Sequence, residues 1–276
     1  MPDKDRSDRV RSYYDARAES EWHRLENPYE GSVEQEIHRR AFEELLPAEA
    51  RVLDLGGGPG RWTIWLARRG HRVVLADLSP RLLEIAGREL EAAGVEAEAV
   101  IQVDARDLGC FQDGEFDAVL ALGPFYHLLA ADERNAAARE TRRVLRSGGL
   151  LLATVMLRYS WALGLLLEGG AERLLAASEV LEQGTYELAG APNFTDAYLH
   201  RPAEVAPFFE SVGFETLRVI ASQGILDLVQ ERLADLRERD EAAYQGLIEI
   251  AYAAAGDPSV LGLSGHLLYA GRASDS

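Results

Sequence analysis

The sequence contains one cysteine, Cys110, in 276 residues. A single thiol cannot form an intrachain disulfide, which fits a reducing compartment, and a cytoplasmic location is expected. Cys110 itself reads as a small half-buried residue ahead of a loop. Positive charge is also scarce: 29 Lys and Arg stand against 46 Asp and Glu, for a net charge of −17. So acidic a surface repels phosphate backbones and anionic headgroups, so neither a nucleic acid nor a membrane is expected as a partner. Residues 1–11 are charged and lack an apolar run, so a signal peptide is not expected. The most apolar stretch, 148–167, is long enough to raise a membrane span. Arg158, Tyr159, Ser160 and two small residues interrupt it. It reads instead as a buried strand over 150–156 running into an apolar helix from about Ser160. The six histidines are scattered and no Cys/His cluster has ligand spacing, so no metal is expected.

What is abundant is apolar alternation. Hydrophobic residues make up 47% of the chain, ample for one large α/β domain. Strands are expected at 51–55, 72–76, 98–102, 116–122 and 150–156. Helices are expected at 61–69, 80–93 and 131–146. The β-α-β-α rhythm implies a parallel sheet with helices on both faces. Ser79 followed by Pro80 is a helix start, and Gly94 a helix stop. Ahead of this core, Ile37, Ala41 and Leu45 have helical spacing. Residues 1–30 are polar with interleaved Tyr13, Tyr14, Trp22 and Tyr29, and fit either a packed amphipathic helix or a lid over a ligand.

After residue 157 the rhythm breaks. A helical stretch at 159–181 and an aromatic, turn-rich stretch at 185–200 precede a helix at 202–212 and strands at 214–221 and 266–271. Residues 226–255 form one or two helices with a break near Asp240. The organisation is therefore an N-terminal helical lid at 1–34, a core at 35–157 and 201–276 carrying a helical insertion at 225–256, and a substrate-cap insertion at 158–200.

Four features sit at strand ends, where open α/β sheets hold their ligands. Val52-Leu53-Asp54-Leu55-Gly56-Gly57-Gly58-Pro59-Gly60 is an apolar strand ending in a glycine-rich turn. Its glycines at 56, 58 and 60 lack the later glycine of a dinucleotide fingerprint, since position 61 is Arg61. The spacing therefore favours a nucleoside without a pyrophosphate. Asp77 ends the second strand, where a carboxylate can accept the vicinal hydroxyls of a ribose. Asp104 and Ala105 follow the third strand, where a carboxylate and a backbone N–H can read an adenine edge; Asp107 reads as structural. The fourth feature runs from Phe116 to Leu128 and ends in Leu122-Gly123-Pro124-Phe125-Tyr126-His127. Asp117, at the opposite edge, reads as structural.

These residues resemble the class I S-adenosylmethionine-dependent methyltransferases over about 35–156, with Gly213-Phe214-Glu215 matching that family's turn into its sixth strand. The resemblance implies a Rossmann-like, seven-stranded, mostly parallel sheet whose last strand is antiparallel, with helical and loop insertions forming a substrate cap. It implies S-adenosyl-L-methionine as cofactor. Gly56 and Gly58 would contact its methionine part, with Asp54 orienting the loop or a ligand ammonium through water; Asp77 would hold its ribose, Leu78, Asp104 and Ala105 its adenine, and the Leu122 backbone its sulfonium end.

The implied partner is a small-molecule methyl acceptor, methylated on oxygen, nitrogen or carbon. The nucleobase and protein-glutamine enzymes often carry Asn or Asp before Pro-Pro-Tyr/Phe, where this chain has Leu122-Gly123-Pro124-Phe125. His127 is the best-placed base, with Tyr126 beside it, although packing of the following turn explains His127 equally well. Tyr198 and His200 read as residues facing substrate or, more readily, as surface loop residues. Residues 161–167 line a substrate pocket, a core or a dimer contact, and a homodimer stays open. The alternatives are a non-catalytic S-adenosylmethionine-binding protein of the same fold and, less favoured by Arg61, an NAD-dependent oxidoreductase.

Overall fold

A computed structural model describes residues 3–24, 32–187 and 194–274. Tyr29, Pro192 and Asn193, singled out in the sequence, lie outside the described residues. Two helices lead: α1 (Asp3–Arg24) and α2 (Ser32–Leu45). The alternating core follows as β1 (Arg51–Leu55), α3 (Arg61–Ala67), β2 (Arg72–Asp77), α4 (Pro80–Ala93), β3 (Ala99–Gln102), β4 (Phe116–Ala121), a 3-10 turn (Pro124–His127), α5 (Ala131–Val144) and β5 (Leu145–Leu157). Then come α6 (Arg158–Glu168), α7 (Ala171–Gln183), β6 (Thr185–Tyr186), β7 (Ala197–His200), α8 (Pro202–Glu210) and β8 (Phe214–Ala221). The chain ends with α9 (Gln230–Arg239), α10 (Glu241–Ala254), α11 (Pro258–Leu261) and β9 (His266–Ala273).

The strands of the central sheet lie in the order β3-β2-β1-β4-β5-β9-β8. The first five pair in parallel. β9 runs antiparallel between β5 and β8, the seven-stranded arrangement expected from the sequence. Strands buried on both faces read as unbroken apolar runs, and Val52, Leu53, Val119, Leu120, Leu151 and Leu152 are fully buried. Local signals placed the boundaries. The Ser79 hydroxyl accepts the Leu82 N–H at 3.1 Å and caps α4, and Gly94 ends that helix in the left-handed region. Asp240 separates α9 from α10 and accepts the Ala243 N–H at 3.0 Å.

The segment at 158–200 differs in detail from the sequence expectation. Gly169 and Gly170, both with positive φ, split one expected helix into α6 and α7. The turn-rich stretch forms a ribbon of β6 and β7, and β7 pairs with the end of β5 through Met156–Leu199 and Leu157–His200. His200 is thus buried in a strand instead of lying on a surface loop. Its ring is held neutral, pushed down to about 3 by burial and by the neighbouring Arg134 and Arg158. Met156, Ala162, Leu165, Val180, Tyr186 and Leu199 build a small core separate from the main one. Cys110 is exposed, not half-buried, because the short turn around it faces solvent.

α1 buries little apolar surface. Val10 and Ala18 are buried, and Tyr14 and Trp22 pack with Ala18 against Leu82 and Ile85 of α4. Polar contacts do much of the holding: Arg9 pairs with Asp196, Ser79 donates its hydroxyl to Asp15, and Arg88 reaches Glu19 at 2.9 Å. Among the described residues, no helix is long and apolar enough to cross a membrane.

Candidate functional site

A cavity of about 750 Å³ opens at the carboxyl ends of β1, β2, β3 and β4 and runs on toward α1 and Phe194. It is large within the range of roughly 300–1,000 Å³ typical of ligand pockets. All ten site residues expected from the sequence line it: Asp54, Gly56, Gly58, Asp77, Leu78, Asp104, Ala105, Leu122, Tyr126 and His127.

The glycine loop forms one wall. A Cβ on Gly56 would lie 2.8 Å from the Pro124 ring, so no larger residue fits between β1 and the turn after β4. Gly58 has φ 56°, and a Cβ there would meet only Leu82, at 3.8 Å. The Gly58 backbone is therefore open to close approach by a ligand.

Two carboxylates flank this loop. Asp54 accepts the Thr63 hydroxyl at 2.7 Å. Asp77 accepts the Gly58 N–H at 2.9 Å on one oxygen and the Ser79 N–H at 2.8 Å on the other. Burial pushes both carboxyls up to about 6. Each is held by a hydroxyl or backbone N–H rather than by a basic side chain. A cationic ligand beside them would offset the cost of burying their charge. Each Asp77 oxygen also keeps acceptor capacity for a ribose hydroxyl, since an ionised carboxylate offers about four lone-pair sites. The donor set thus fits a nucleoside carrying a positive charge, as S-adenosylmethionine does.

Asp104 is more engaged. Its Oδ1 accepts the Arg106 backbone N–H at 2.9 Å and Nε at 3.0 Å, and its Oδ2 accepts Nη2 at 2.7 Å. Oδ2 is the oxygen with capacity for an exocyclic amine. Asp107 serves the loop by accepting the Gly109 N–H at 3.0 Å. Asp117 binds the Arg51 N–H and the Arg146 guanidinium. The Arg51 N–H, more than any other contact, holds its carboxyl below the usual range.

Beyond Leu122 the cavity becomes aromatic. Tyr13, Tyr14, Tyr126, Trp161 and Phe194 line it together with Met156. Phe194 joins the group, its ring centre 5.1 Å from Trp161, 6.1 Å from Tyr13 and 6.5 Å from Tyr126. His127 sits among them. Its Nδ1 donates to the Asp196 carbonyl at 3.0 Å, and its Nε2 accepts the Tyr14 hydroxyl at 2.8 Å. Burial pushes the ring down to about 4, so it is neutral at physiological pH.

A polar corner closes the cavity near α2. Glu34, Gln35, His38 and His266 line it. His38 is buried, pushed down to about 4 by burial, and shares a 2.9 Å hydrogen bond with the Ser222 hydroxyl. Sequence reasoning missed Tyr14 as a partner of His127, Arg106 as the clasp of Asp104, and the pairing of Glu34 with His266. Tyr14 and Glu34 carry no local signal because their partners are distant in the chain, whereas Arg106 stands two residues after Asp104 and could have been found there.

Residues 52–149 match the model of a family described as a methyltransferase domain. The chain is 30% identical over 219 residues to the tRNA 5-carboxymethoxyuridine methyltransferase of Escherichia coli (strain K12), covering 76% of this chain and 75% of that protein. It is 31% identical over 200 residues to the ubiquinone biosynthesis O-methyltransferase of Xanthomonas axonopodis pv. citri (strain 306), covering 72% and 76%. Its fold is similar to that of Burkholderia thailandensis 1,6-didemethyltoxoflavin-N1-methyltransferase, solved with bound 1,6-didemethyltoxoflavin and S-adenosylhomocysteine. That likeness has a TM-score of 0.61 at 15% identity, over 100% of this chain and 92% of that one.

Proposed function

The chain belongs to the class I S-adenosylmethionine-dependent methyltransferase family, and we propose that its methyl acceptor is a small, planar, largely apolar molecule. The observation that carries this is the aromatic chamber continuous with the glycine loop. Tyrosine, tryptophan and phenylalanine walls favour a flat ring through stacking and edge contacts. The relatives act on quite different acceptors, so the family alone does not choose among them. The net charge of −17 favours a small molecule over tRNA, because nucleic-acid affinity rests on neutralising phosphates. It also disfavours an anionic membrane surface, and we place the enzyme in the cytoplasm.

Within this proposal the sheet edge holds the cofactor. Asp54, Gly56 and Gly58 face its methionine part, Asp77 its ribose, Leu78, Asp104 and Ala105 its adenine, and Leu122 its sulfonium. The bound cofactor supplies an activated methyl group, so the protein mainly has to align the acceptor and exclude water. Tyr126 lines the acceptor chamber. His127, neutral and already accepting a proton bond from Tyr14, positions that tyrosine across the chamber. α1, through Tyr13 and Tyr14, and the 158–200 insertion, through Trp161 and Phe194, supply the outer walls. In this proposal they act as the lid and the cap.

The test is direct. The protein is incubated with S-adenosylmethionine labelled in the methyl group and a panel of phenols, aromatic amines and aliphatic alcohols. Label transferred to planar aromatic members is the expected result. Transfer confined to aliphatic members, or cofactor binding with no transfer to any extract of small metabolites, would overturn it.

A further inference from the structure

We propose that the outer side of the hairpin formed by α6 and α7 docks on a second copy of this chain, giving a two-fold dimer. The proposal stands apart from the choice of acceptor. Each helix carries two apolar stripes. The inner ones are covered: Ala162 and Leu165 of α6 and Ala177 and Val180 of α7 are buried in the small core beneath the hairpin, and Trp161 lines the cavity. The outer ones face water. On α6, Tyr159, Leu163 and Leu166 recur at helical spacing, and Leu167 beside them is 79% exposed. On α7, Leu174 and Leu181 lie two turns apart, and Leu175 is 73% exposed.

These seven are more than half of the twelve large hydrophobic side chains that stand exposed among the described residues. Scattered exposed leucines are ordinary on a soluble protein, whereas a concentration of them marks an interaction surface. A helix that is apolar on both sides belongs in a setting where both are buried. The seven leave on the order of 700 Å² in water, close to the roughly 800 Å² that each partner contributes to a standard interface.

The stripe on α7 is complementary to itself. Ala171, Leu174, Ser178 and Leu181 are all exposed and recur at alternating spacings of three and four, the pattern of a helix that packs along another helix. Two copies of α7 laid antiparallel about a two-fold axis bring Leu174 against the partner's Leu181, and Leu181 against the partner's Leu174. The small Ser178 lies near the axis and lets the helices approach closely. Each contact occurs twice, as in any isologous interface.

Charge agrees with this pairing. At the hairpin tip, Glu168 is already paired with Arg173 at 3.0 Å. The exposed Glu172, in the first turn of α7, comes to lie toward the end of the partner's helix. There the exposed Arg201 guanidinium bonds the Leu181 carbonyl at 3.3 Å. An anionic membrane offers no such match, because Glu172, Glu179 and Glu182 border the same helix and would meet its headgroups. The dimer would also brace the cavity wall from outside, since α6 carries Trp161 on the cavity side and Leu163 and Leu167 on the outer one.

Two readouts test this on the whole protein, and neither uses an acceptor or a transfer, so their failure is distinct from failure of the acceptor proposal. In sedimentation velocity at micromolar concentration, the 30.4 kDa chain should run at twice that mass. Leu174→Glu combined with Leu175→Glu should raise the dimer Kd about 100-fold or more, as loss of central apolar contacts does. Its thermal melt by circular dichroism and its Kd for S-adenosylhomocysteine should stay close to wild type. The second readout leaves the stripe intact. With Cys110→Ser removing the native exposed thiol, Ser178→Cys should be joined into a covalent dimer by a short bis-maleimide, far faster than wild type is through Cys110. If the double glutamate variant fails to fold, this cross-link decides. A wild type that stays monomeric up to its solubility limit would overturn the proposal. So would a dimer indifferent to the two glutamates, or cross-linking at Ser178→Cys no faster than at Cys110. A monomer that floats with phosphatidylcholine vesicles would assign the surface to lipid and overturn it as well.

Discussion

Arg106 holds the Asp104 carboxylate through Nε and Nη2, at 3.0 and 2.7 Å, and with the same Nη2 reaches the Ser7 hydroxyl of α1 at 2.6 Å. Its Nη1 bonds Glu133 of α5 at 2.9 Å. One guanidinium therefore ties the proposed adenine reader to the helix that covers it. Arg106→Ala should loosen both. Cofactor affinity is expected to fall about tenfold, or about 1.4 kcal/mol, and proteases should cut within 3–24 faster. Calorimetry and mass-resolved limited proteolysis measure the two effects. Unchanged cleavage would show that α1 does not depend on this tether.

Asp77 has two tasks that substitution can separate. It braces the glycine loop through the Gly58 and Ser79 N–H groups, and we propose that it also receives the ribose hydroxyls. Asp77→Ala should weaken cofactor binding by about 1–3 kcal/mol, the scale of losing hydrogen bonds to a charged group. Asp77→Asn keeps one acceptor oxygen and should lose less. Equal affinity in wild type and Asp77→Ala, by calorimetry, would remove the ribose role.

The part of the cavity lined by the glycine loop, Asp77 and Asp104 was legible because its signals are local. Strand, glycine turn and helix cap follow one another within 52–60, and Asp77 and Asp104 stand at strand ends that the β-α rhythm marks. The aromatic and α2-facing part of the cavity was not, because distant segments meet there. β9 slots between β5 and β8, bringing His266 beside Met156 and within reach of Glu34, which lies more than two hundred positions earlier. His127 could be placed at the cavity from its turn. Its state could not, since that depends on Tyr14 and the Asp196 carbonyl. His200 was misplaced for a similar reason: β7 is a strand only because the end of β5 extends past β4 and offers it an edge.

Asp54 should make stability depend on pH. In the folded protein burial raises its carboxyl from 3.8 to about 6, so the native state binds the proton more tightly than the unfolded chain. The associated stability is fully present below about pH 3.8 and is lost as pH rises through about 6. Asp54→Asn does not titrate. Without cofactor, its stability relative to wild type should rise between pH 4 and pH 8, by at most about 3 kcal/mol. Denaturant melts at the two pH values measure the difference. A difference, variant minus wild type, that stays constant or falls toward pH 8 would contradict an Asp54 whose ionised form is destabilised by burial. Added S-adenosylmethionine, whose positive charge favours the ionised carboxylate, should raise the wild-type melting temperature more than that of Asp54→Asn.

Tyr14 and His127 should behave as one unit. Tyr14→Phe removes the hydroxyl that His127 accepts, and His127→Gln removes the acceptor. Each should raise the KM for the acceptor about fivefold, near 1 kcal/mol for one hydrogen bond. Cofactor Kd and the pH profile should not move. The double variant should cost little more than either single one, because both break the same contact. A shift of the acidic limb in His127→Gln would instead make His127 the titrating base.

The tRNA-modifying relative poses the sharpest alternative for the acceptor. A protein that binds tRNA must offset phosphate charge with basic side chains, and its affinity then falls steeply with salt. This chain has 17 more acidic than basic residues. Several arginines that could face a polyanion are already committed: Arg51 to Glu98 and Glu115, Arg143 to Asp113 and Glu140, Arg218 to Glu44. Bulk tRNA should therefore fail to bind at low salt in a gel-shift assay. It should also take no label from S-adenosylmethionine under conditions in which a planar phenol does. Label in tRNA that survives phenol extraction and disappears with ribonuclease would reverse the choice of acceptor. The aromatic chamber would then have to receive a single base turned out of its stack, and the cost of bringing a polyanion to this surface would have to be met by a basic partner protein.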